Sequence, residues 1–174
     1  EIEGERTLAA SCIREPAEGM VVVTNNARAK NARKMVVELL MADQPAQEIS
    51  HDKSSHMWDM AAMNDVSESR FPKLEQGRIP LLDDSHVAMS VNLDACISCG
   101  LCVRACREVQ VNDVIGMSGR GMESYPTFDM ADPMGDSSCV ACGECVQACP
   151  TGALMPSTVV DENQVGDSAD FDRE

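Results

Sequence analysis

Aromatic residues are scarce: one Trp, one Tyr and three Phe make up 3% of 174 residues. With so few large side chains a big packed core is excluded, and something besides apolar burial must stabilise the fold. Basic charge is also short. Fourteen Lys and Arg stand against 29 Asp and Glu, a formal net charge of −15. That balance excludes a nucleic-acid binder and suits docking on basic protein surfaces. The deficit is uneven, with 10 basic and 15 acidic residues up to His86 and 4 against 14 after it. Long hydrophobic runs are missing too. Stretches such as Leu39-Leu40-Met41-Ala42 fall far below the ~18 residues of a membrane span, so no membrane span is expected, and no signal peptide is visible. The chain starts at Glu1 rather than Met, and it is read as a piece of a longer protein.

Cysteine is what the chain has in abundance. Eight of nine fall into two copies of one spacing, Cys96-x2-Cys99-x2-Cys102-x3-Cys106 and Cys139-x2-Cys142-x2-Cys145-x3-Cys149-Pro150. Zinc is the main rival reading, because Cys-x2-Cys is also a zinc knuckle. Four ligands complete a tetrahedral zinc site, however, and commonly come as two separated pairs. Three cysteines in a row plus a fourth at x3 are redundant for zinc and are the pattern of paired [4Fe–4S] cubanes, where the fourth cysteine reaches the other cluster. The first cluster is therefore expected on Cys96, Cys99, Cys102 and Cys149, and the second on Cys139, Cys142, Cys145 and Cys106. Gly100 and Gly143 follow the second cysteine of each loop, where a bulky residue is expected to hinder tight wrapping. Pro150 follows Cys149 as the motif requires; Arg107 replaces it after Cys106. Regular thiol spacing of this kind points to metal and a reducing compartment, with the cytoplasm as default.

The rest of the chain divides by pattern. Strands are expected at Arg6–Ser11 and Met20–Thr24, joined by a turn. A helix follows, capped by Thr24 or Asn25, with Ala32, Met35, Val36, Leu39 and Leu40 on one face and Pro45 as its stop. Arg28, Lys30, Arg33 and Lys34 read as a solvated face of it. Residues 46–86 are polar, with a short helix near Ser55–Asn64 and Met57, Trp58 and Met60 as a local hydrophobic cluster. His51, His56 and His86 read as surface or locally bonded histidines. From 87 onward a duplicated strand, cysteine loop and helix predict βαβ-like pseudo-symmetry: a strand near Val91–Leu93, a helix through Val103–Val109, strands near Val114–Met117 and Ser124–Phe128, and a helix through Glu144–Ala148. The 32 residues between Cys106 and Cys139 are an insertion. Within it, Gly116-Met117-Ser118-Gly119-Arg120-Gly121 matches no phosphate loop and reads as a turn. No Ser/His/Asp set or carboxylate pair suggests a hydrolase, so no catalytic residue is expected.

Two stretches carry a resemblance. Residues 10–24, Ala-Ser-Cys-Ile-Arg-Glu-Pro-Ala-Glu-Gly-Met-Val-Val-Val-Thr, resemble the end of the plant-type [2Fe–2S] domain of the NADH dehydrogenase large subunit, iron-only hydrogenases and NAD-linked formate dehydrogenases. The resemblance makes Cys12 the fourth ligand of a [2Fe–2S] cluster whose other ligands lie upstream of Glu1. Segments 102–116 and 139–156, with the tail 161–168, look most like the alpha subunit of cytoplasmic, molybdopterin-dependent formate dehydrogenase. That likeness implies an α+β chain: 1–25, the end of a [2Fe–2S] domain; 26–86, a helical segment; 87–156, a two-[4Fe–4S] ferredoxin-like domain; and 157–174, an acidic linker toward a molybdopterin domain. It implies part of an oxidoreductase, relaying electrons between the molybdopterin centre and a flavin- and NAD-binding diaphorase-type subunit. A fragment of an iron-only hydrogenase or NADH dehydrogenase subunit, or a free-standing ferredoxin-like carrier, is the alternative. Related proteins carry a His-plus-three-Cys cluster in the middle segment, whereas 43–86 contain no cysteine, so that cluster is expected to be absent.

Overall fold

The structure, a computed structural model, describes residues 1–73 and 82–159. The tail 160–174, and with it most of the expected acidic linker, lies outside the described residues.

Helix α1 spans Ala27–Met41, and its cap is Asn26, whose Oδ1 accepts from the Ala29 N–H at 2.8 Å. The start is thus one or two residues later than the sequence suggested. Of the neighbouring polar residues, Asn26 is the one whose side chain reaches the third helical N–H, which is what a cap must do. The helix ends at Met41, ahead of Pro45, because a proline pushes the residue before it out of the α region. The basic residues at its start are not simply solvated. Arg28 donates to the Arg6 carbonyl at 2.6 Å, Arg33 to Thr24 at 2.7 Å and Lys34 to Asp65 at 3.0 Å, tying the N-terminal segment and the following helix to α1. Helix α2, His56–Met63, falls where expected. Val37, Met41, Met57, Ala61 and Val66 close a small core between the two helices with Trp58 against it, while Met60 is partly exposed.

The strands expected at Arg6–Ser11 and Met20–Thr24 do not form. The segment is irregular, with a single bridge between Ile2 and Val22. A strand needs a ladder partner, and residues 20–24 find theirs in 1–3, through Glu3 N–H to Val21 O at 2.9 Å and Val23 N–H to Glu1 O at 2.8 Å.

The second half has mixed α/β content. Strands β1 (Leu82–Asp83), β2 (Met89–Asn92) and β5 (Leu154–Pro156) form one sheet in the order β1-β2-β5; β3 (Ile115–Ser118) and β4 (Tyr125–Phe128) form a hairpin. Both sheets are antiparallel, with Val91 opposite Leu154 and Ile115 opposite Phe128. A βαβ unit would have paired them parallel. Instead, the strand leading into each cysteine loop pairs with the strand leaving the other loop, which crosses the halves. Helix α3 (Leu101–Arg104) runs on as a π-helical turn over Ala105–Val109, and α4 is Glu144–Ala148. The glycine-rich stretch at 116–121 lies in β3 and the turn after it, as expected. A core of Met89, Val91, Leu93, Val114, Ile115, Phe128, Met134 and Leu154 includes Cys106 and Cys145 themselves. Ser157, the first residue past β5, donates its N–H to Ala88 O at 3.1 Å.

The loop before β2 is pinned by Asp83, which accepts the Met134 N–H at 2.7 Å. Burial acts to raise the Asp83 carboxyl, but the N–H of Met134, the hydroxyl and N–H of Ser85 and nearby His86 outweigh it and hold it below 3.8. The stabilisation is present above that ordinary value and is lost as pH falls through the lowered one.

The two cores meet through backbone groups beside the cysteines. Met57 N–H donates to Pro150 O at 2.9 Å, Gln44 Nε2 to Ala95 O at 3.0 Å, and His51 Nδ1 stands 2.7 Å from Gly152 O. Gly152 has φ +70°, and a Cβ there would sit 2.2 Å from Asp52 Cβ. Gly152→Ala is expected to cost about 2 kcal/mol or more, from left-handed strain plus the clash. A thermal melt of the metal-loaded chain measures it, and adding Asp52→Gly should recover only the clash component.

Candidate metal centre

Each cysteine loop wraps by the same backbone device. Ser98 (φ +54°) and Gly100 (φ +72°) flank Cys99, and Ala141 (φ +56°) and Gly143 (φ +76°) flank Cys142. The left-handed pair turns the chain tightly enough to aim successive thiols inward and swings N–H groups toward sulfur. Ser98 N–H points at Cys96 Sγ at 3.3 Å and Ala141 N–H at Cys139 Sγ at 3.4 Å. A Cβ on Gly100 or Gly143 meets nothing within 4 Å. The steric reason expected for these glycines is therefore replaced by a conformational one: a positive φ that costs any other residue about 1–2 kcal/mol.

The last cysteine of each loop is aimed differently. The π-helical turn at Ala105–Val109 buries Cys106, whose Sγ receives the Val114 N–H at 3.3 Å. π-turns insert one residue into a helix and often mark functional positions. Arg107, standing where the motif carries proline, donates to Asp113 at 2.6 Å and so closes the turn after Cys106 with an ion pair. Cys149 Sγ lies 3.7 Å from the hydroxyl of Thr151, which is 1% exposed. Asn112 Nδ2 lies 4.0 Å from Cys142 Sγ. Thr151, Asn112 and Val114 were not singled out from sequence. For Thr151 the signal was its place directly after the Cys149-Pro150 pair; the other two depend on a long-range approach.

Cys96, Cys99 and Cys102 line one cavity together with Cys149 from the other loop; Leu93, Met117, Pro126 and Leu154 complete its wall. Burial pushes the Cys102 thiol up to about 12, and Cys149, Cys96, Cys99 and, from the second loop, Cys145 add to the effect in that order. Burial likewise pushes Cys145 up to about 12, with Cys139 and Cys142 the largest neighbours and Cys106 also contributing. For each thiol the neighbours therefore include the last cysteine of the other loop, Cys149 for Cys102 and Cys106 for Cys145. Among the described residues no three His, Cys, Asp or Glu side chains converge as ligands of one ion do. A cubane gives each thiolate its own iron, so its ligands stand wider apart than the four around one zinc. An all-sulfur donor set spread around a cavity fits a [4Fe–4S] cluster at Cys96, Cys99, Cys102 and Cys149.

Cys12 stands apart from these eight. It is exposed and in no disulfide, on the rim of an apolar groove between the N-terminal segment and α1 that also takes in Met20, Val36, Leu40, Ile97 and Pro150. His56 is exposed, 3.8 Å from Asp59. His86 is buried and locally bonded, accepting the Ala88 N–H at 3.1 Å. His51 departs from the surface reading: it is buried between segments about 100 residues apart in sequence.

Comparison with known proteins bears on the same region. Residues 88–153 match the family model of the 4Fe-4S dicluster domain. This part of the chain is a 4Fe-4S ferredoxin-like domain. The chain is similar to the NADP-reducing hydrogenase subunit HndD of Solidesulfovibrio fructosivorans, 35% identical over 89% of this chain and 26% of that protein. It is similar to an NADH-quinone oxidoreductase subunit of Rhizobium meliloti, 35% identical over 73% of this chain and 15% of the relative. It also resembles a putative formate dehydrogenase, YrhE, of Bacillus subtilis, 28% identical over 91% of this chain and 17% of the relative. The chain therefore spans about a quarter or less of these curated relatives. Among solved structures, an NAD+-reducing [NiFe]-hydrogenase in the H2-reduced state superposes with a TM-score of 0.75, at 27% identity, over 90% of this chain and 67% of that one. The chain thus has relatives among hydrogenase and NADH-quinone oxidoreductase subunits and in a putative formate dehydrogenase.

With the Cys102 and Cys145 thiols at about 12, metal entry expels protons, so iron retention is expected to weaken as pH falls from 8 to 5, read as loss of the visible charge-transfer band. The iron-free chain has the opposite sign. Raised folded values stabilise it below the ordinary 9.0 and that contribution is lost as pH rises toward about 12, so its melting temperature should be lower at pH 10 than at pH 8.

Proposed function

We propose that the chain is the electron-relay portion of a multi-subunit, NAD(P)-linked oxidoreductase, holding two [4Fe–4S] clusters, one on Cys96, Cys99, Cys102 and Cys149 and one on Cys139, Cys142, Cys145 and Cys106. The observation that carries this reading is Cys149, from the second loop, lining one cavity with Cys96, Cys99 and Cys102 of the first. Bound there, the clusters supply one-electron exchange. The chain's own residues do the rest. The thiols fix position, the N–H groups of Ser98, Ala141 and Val114 offset negative charge on sulfur, and apolar walls keep water away, all of which set the potential. No helix among the described residues is long and apolar enough to cross a membrane, and the net charge of −15 favours docking on basic partner surfaces. A diaphorase-type subunit binding flavin and NAD is the partner that this reading calls for, and eight reduced thiols suit the cytoplasm.

The relatives at 35% identity are hydrogenase and NADH-quinone oxidoreductase subunits, which favours that group for the parent protein. Formate dehydrogenase remains a second reading, carried by the 91% of this chain that aligns with YrhE. In that parent a downstream molybdopterin domain would oxidise formate, and in either parent Cys12 would complete a [2Fe–2S] site.

Crossed ligation separates the two clusters by mutation. Cys106→Ser is expected to remove the signal of the cluster on Cys139, Cys142 and Cys145, and Cys149→Ser that of the cluster on Cys96, Cys99 and Cys102, each with loss of roughly half the iron. EPR of the reduced variants reads this out. Loss of the cluster on the mutated residue's own loop would overturn the assignment, and full-occupancy zinc without acid-labile sulfide in anaerobically purified protein would overturn the proposal.

A further inference from the structure

A line of polar groups runs from the surface to the back of the first cysteine cavity. Asp84 is exposed, and the hydroxyl of Ser90, 2% exposed, donates to its carboxylate. Ser90 Oγ lies 3.3 Å from His51 Nε2, and His51 Nδ1 lies 2.7 Å from Gly152 O. Gly152 is flanked by Thr151 and Ala153, both of which line the cavity, and Thr151 touches Cys149 Sγ.

The proton inventory of this line does not close with ordinary charges. A carbonyl only accepts, so Nδ1 carries a hydrogen. Ser90 has one proton and two takers, the Asp84 carboxylate and Nε2. With Asp84 ionised and the ring neutral, a Ser90 hydrogen given to Asp84 leaves the buried Nε2 facing an oxygen without one, which is costly. One added proton repairs it: Nε2–H donates to Ser90, and Ser90 donates to Asp84.

We propose that His51, Ser90 and Asp84 form a proton-loading site that makes electron uptake at the Cys96, Cys99, Cys102 and Cys149 cavity depend on pH. This rests on the cluster reading above. One electron arrives from an external one-electron donor, and one proton arrives from solvent by way of Asp84. The proton stays on the His51 ring, where its positive charge, one residue behind the cavity wall, offsets the electron's charge. The other charged groups around His51 are engaged or solvent-facing. Asp52 accepts from Ser54 and Asp83 from Met134 and Ser85, His86 Nδ1 is taken by Ala88 N–H, His56 pairs with Asp59, and Glu48 and Lys53 are exposed. Beyond Thr151 lie the thiolates. His51 is thus a positioning residue, acting on the site through charge rather than by contact.

The test is an EPR-monitored redox titration of the iron–sulfur-loaded chain from pH 6 to 9, with the first-cavity signal assigned by its loss in Cys149→Ser. The midpoint potential of that signal is expected to become more negative as pH rises, while the other signal stays flatter. His51→Gln, which can still donate to Gly152 O, should remove the slope. Asp84→Asn, at an exposed position that does not endanger folding, should move the slope to lower pH by withdrawing the counter-charge. Nitrogen-15 NMR of the ring should show a proton gained on reduction at fixed pH. A flat first-cavity potential in the unmodified chain, or a slope retained in His51→Gln or unmoved in Asp84→Asn, would overturn the proposal and leave the cluster assignment standing. Failure to take up iron and sulfide at all would overturn both.

Discussion

In the proposed ligation each set of four thiols takes three from one loop and one from the other, and the strands of the domain are arranged around the same exchange. β2, entering the first loop, pairs with β5, leaving the second; β4, entering the second, pairs with β3, leaving the first. Strand pairing thus crosses the halves just as the thiols do, and neither half has a complete sheet or a complete thiol set alone. This is how a chain with five aromatic residues manages with so modest a core. Cys106 and Cys145 are buried in it, so the apolar interior and the metal-binding interior are one volume. Metal–thiolate bonding that exists only in the folded state then contributes directly to folding free energy.

The helical segment 26–66 is built against the cysteine loops. Its three anchors, Gln44, His51 and Met57, take the carbonyls of Ala95, Gly152 and Pro150, all of them next to or near Cys96 and Cys149. Loop carbonyls that would otherwise need water are satisfied by a neighbouring element, and the first cavity gains a protein cover on that side. Gly152 permits the contact, since the Asp52 side chain occupies the place a Cβ would take. A segment without cysteine is thereby mechanically part of the first thiol set.

Relatives of the chain include hydrogenase and NADH-quinone oxidoreductase subunits and a putative formate dehydrogenase. A shared fold carries no substrate identity by itself, and what the described cysteine loops present is thiols with N–H donors aimed at sulfur.

The cysteine loops were legible in the sequence because cysteine spacing encodes loop geometry locally: intervals of three allow one tight turn, and a further x3 step places the last thiol beyond it. Helix α2, helix α4 and the hairpin around 116–121 were legible for the same reason, being set by short-range periodicity and turn residues. The antiparallel crossing of the halves was not, since a duplicated strand-loop-helix pattern is compatible with either pairing until the strands meet. The strand at Arg6–Ser11 failed because a strand exists only with a partner, and the burial of His51 was invisible because Gly152, its partner, is 101 residues away. Residue order alone set the positions of the cysteines and the short turns around them. Only the tertiary structure decided what surrounds them, because burial and hydrogen bonding to sulfur or imidazole are properties of contacts between distant segments.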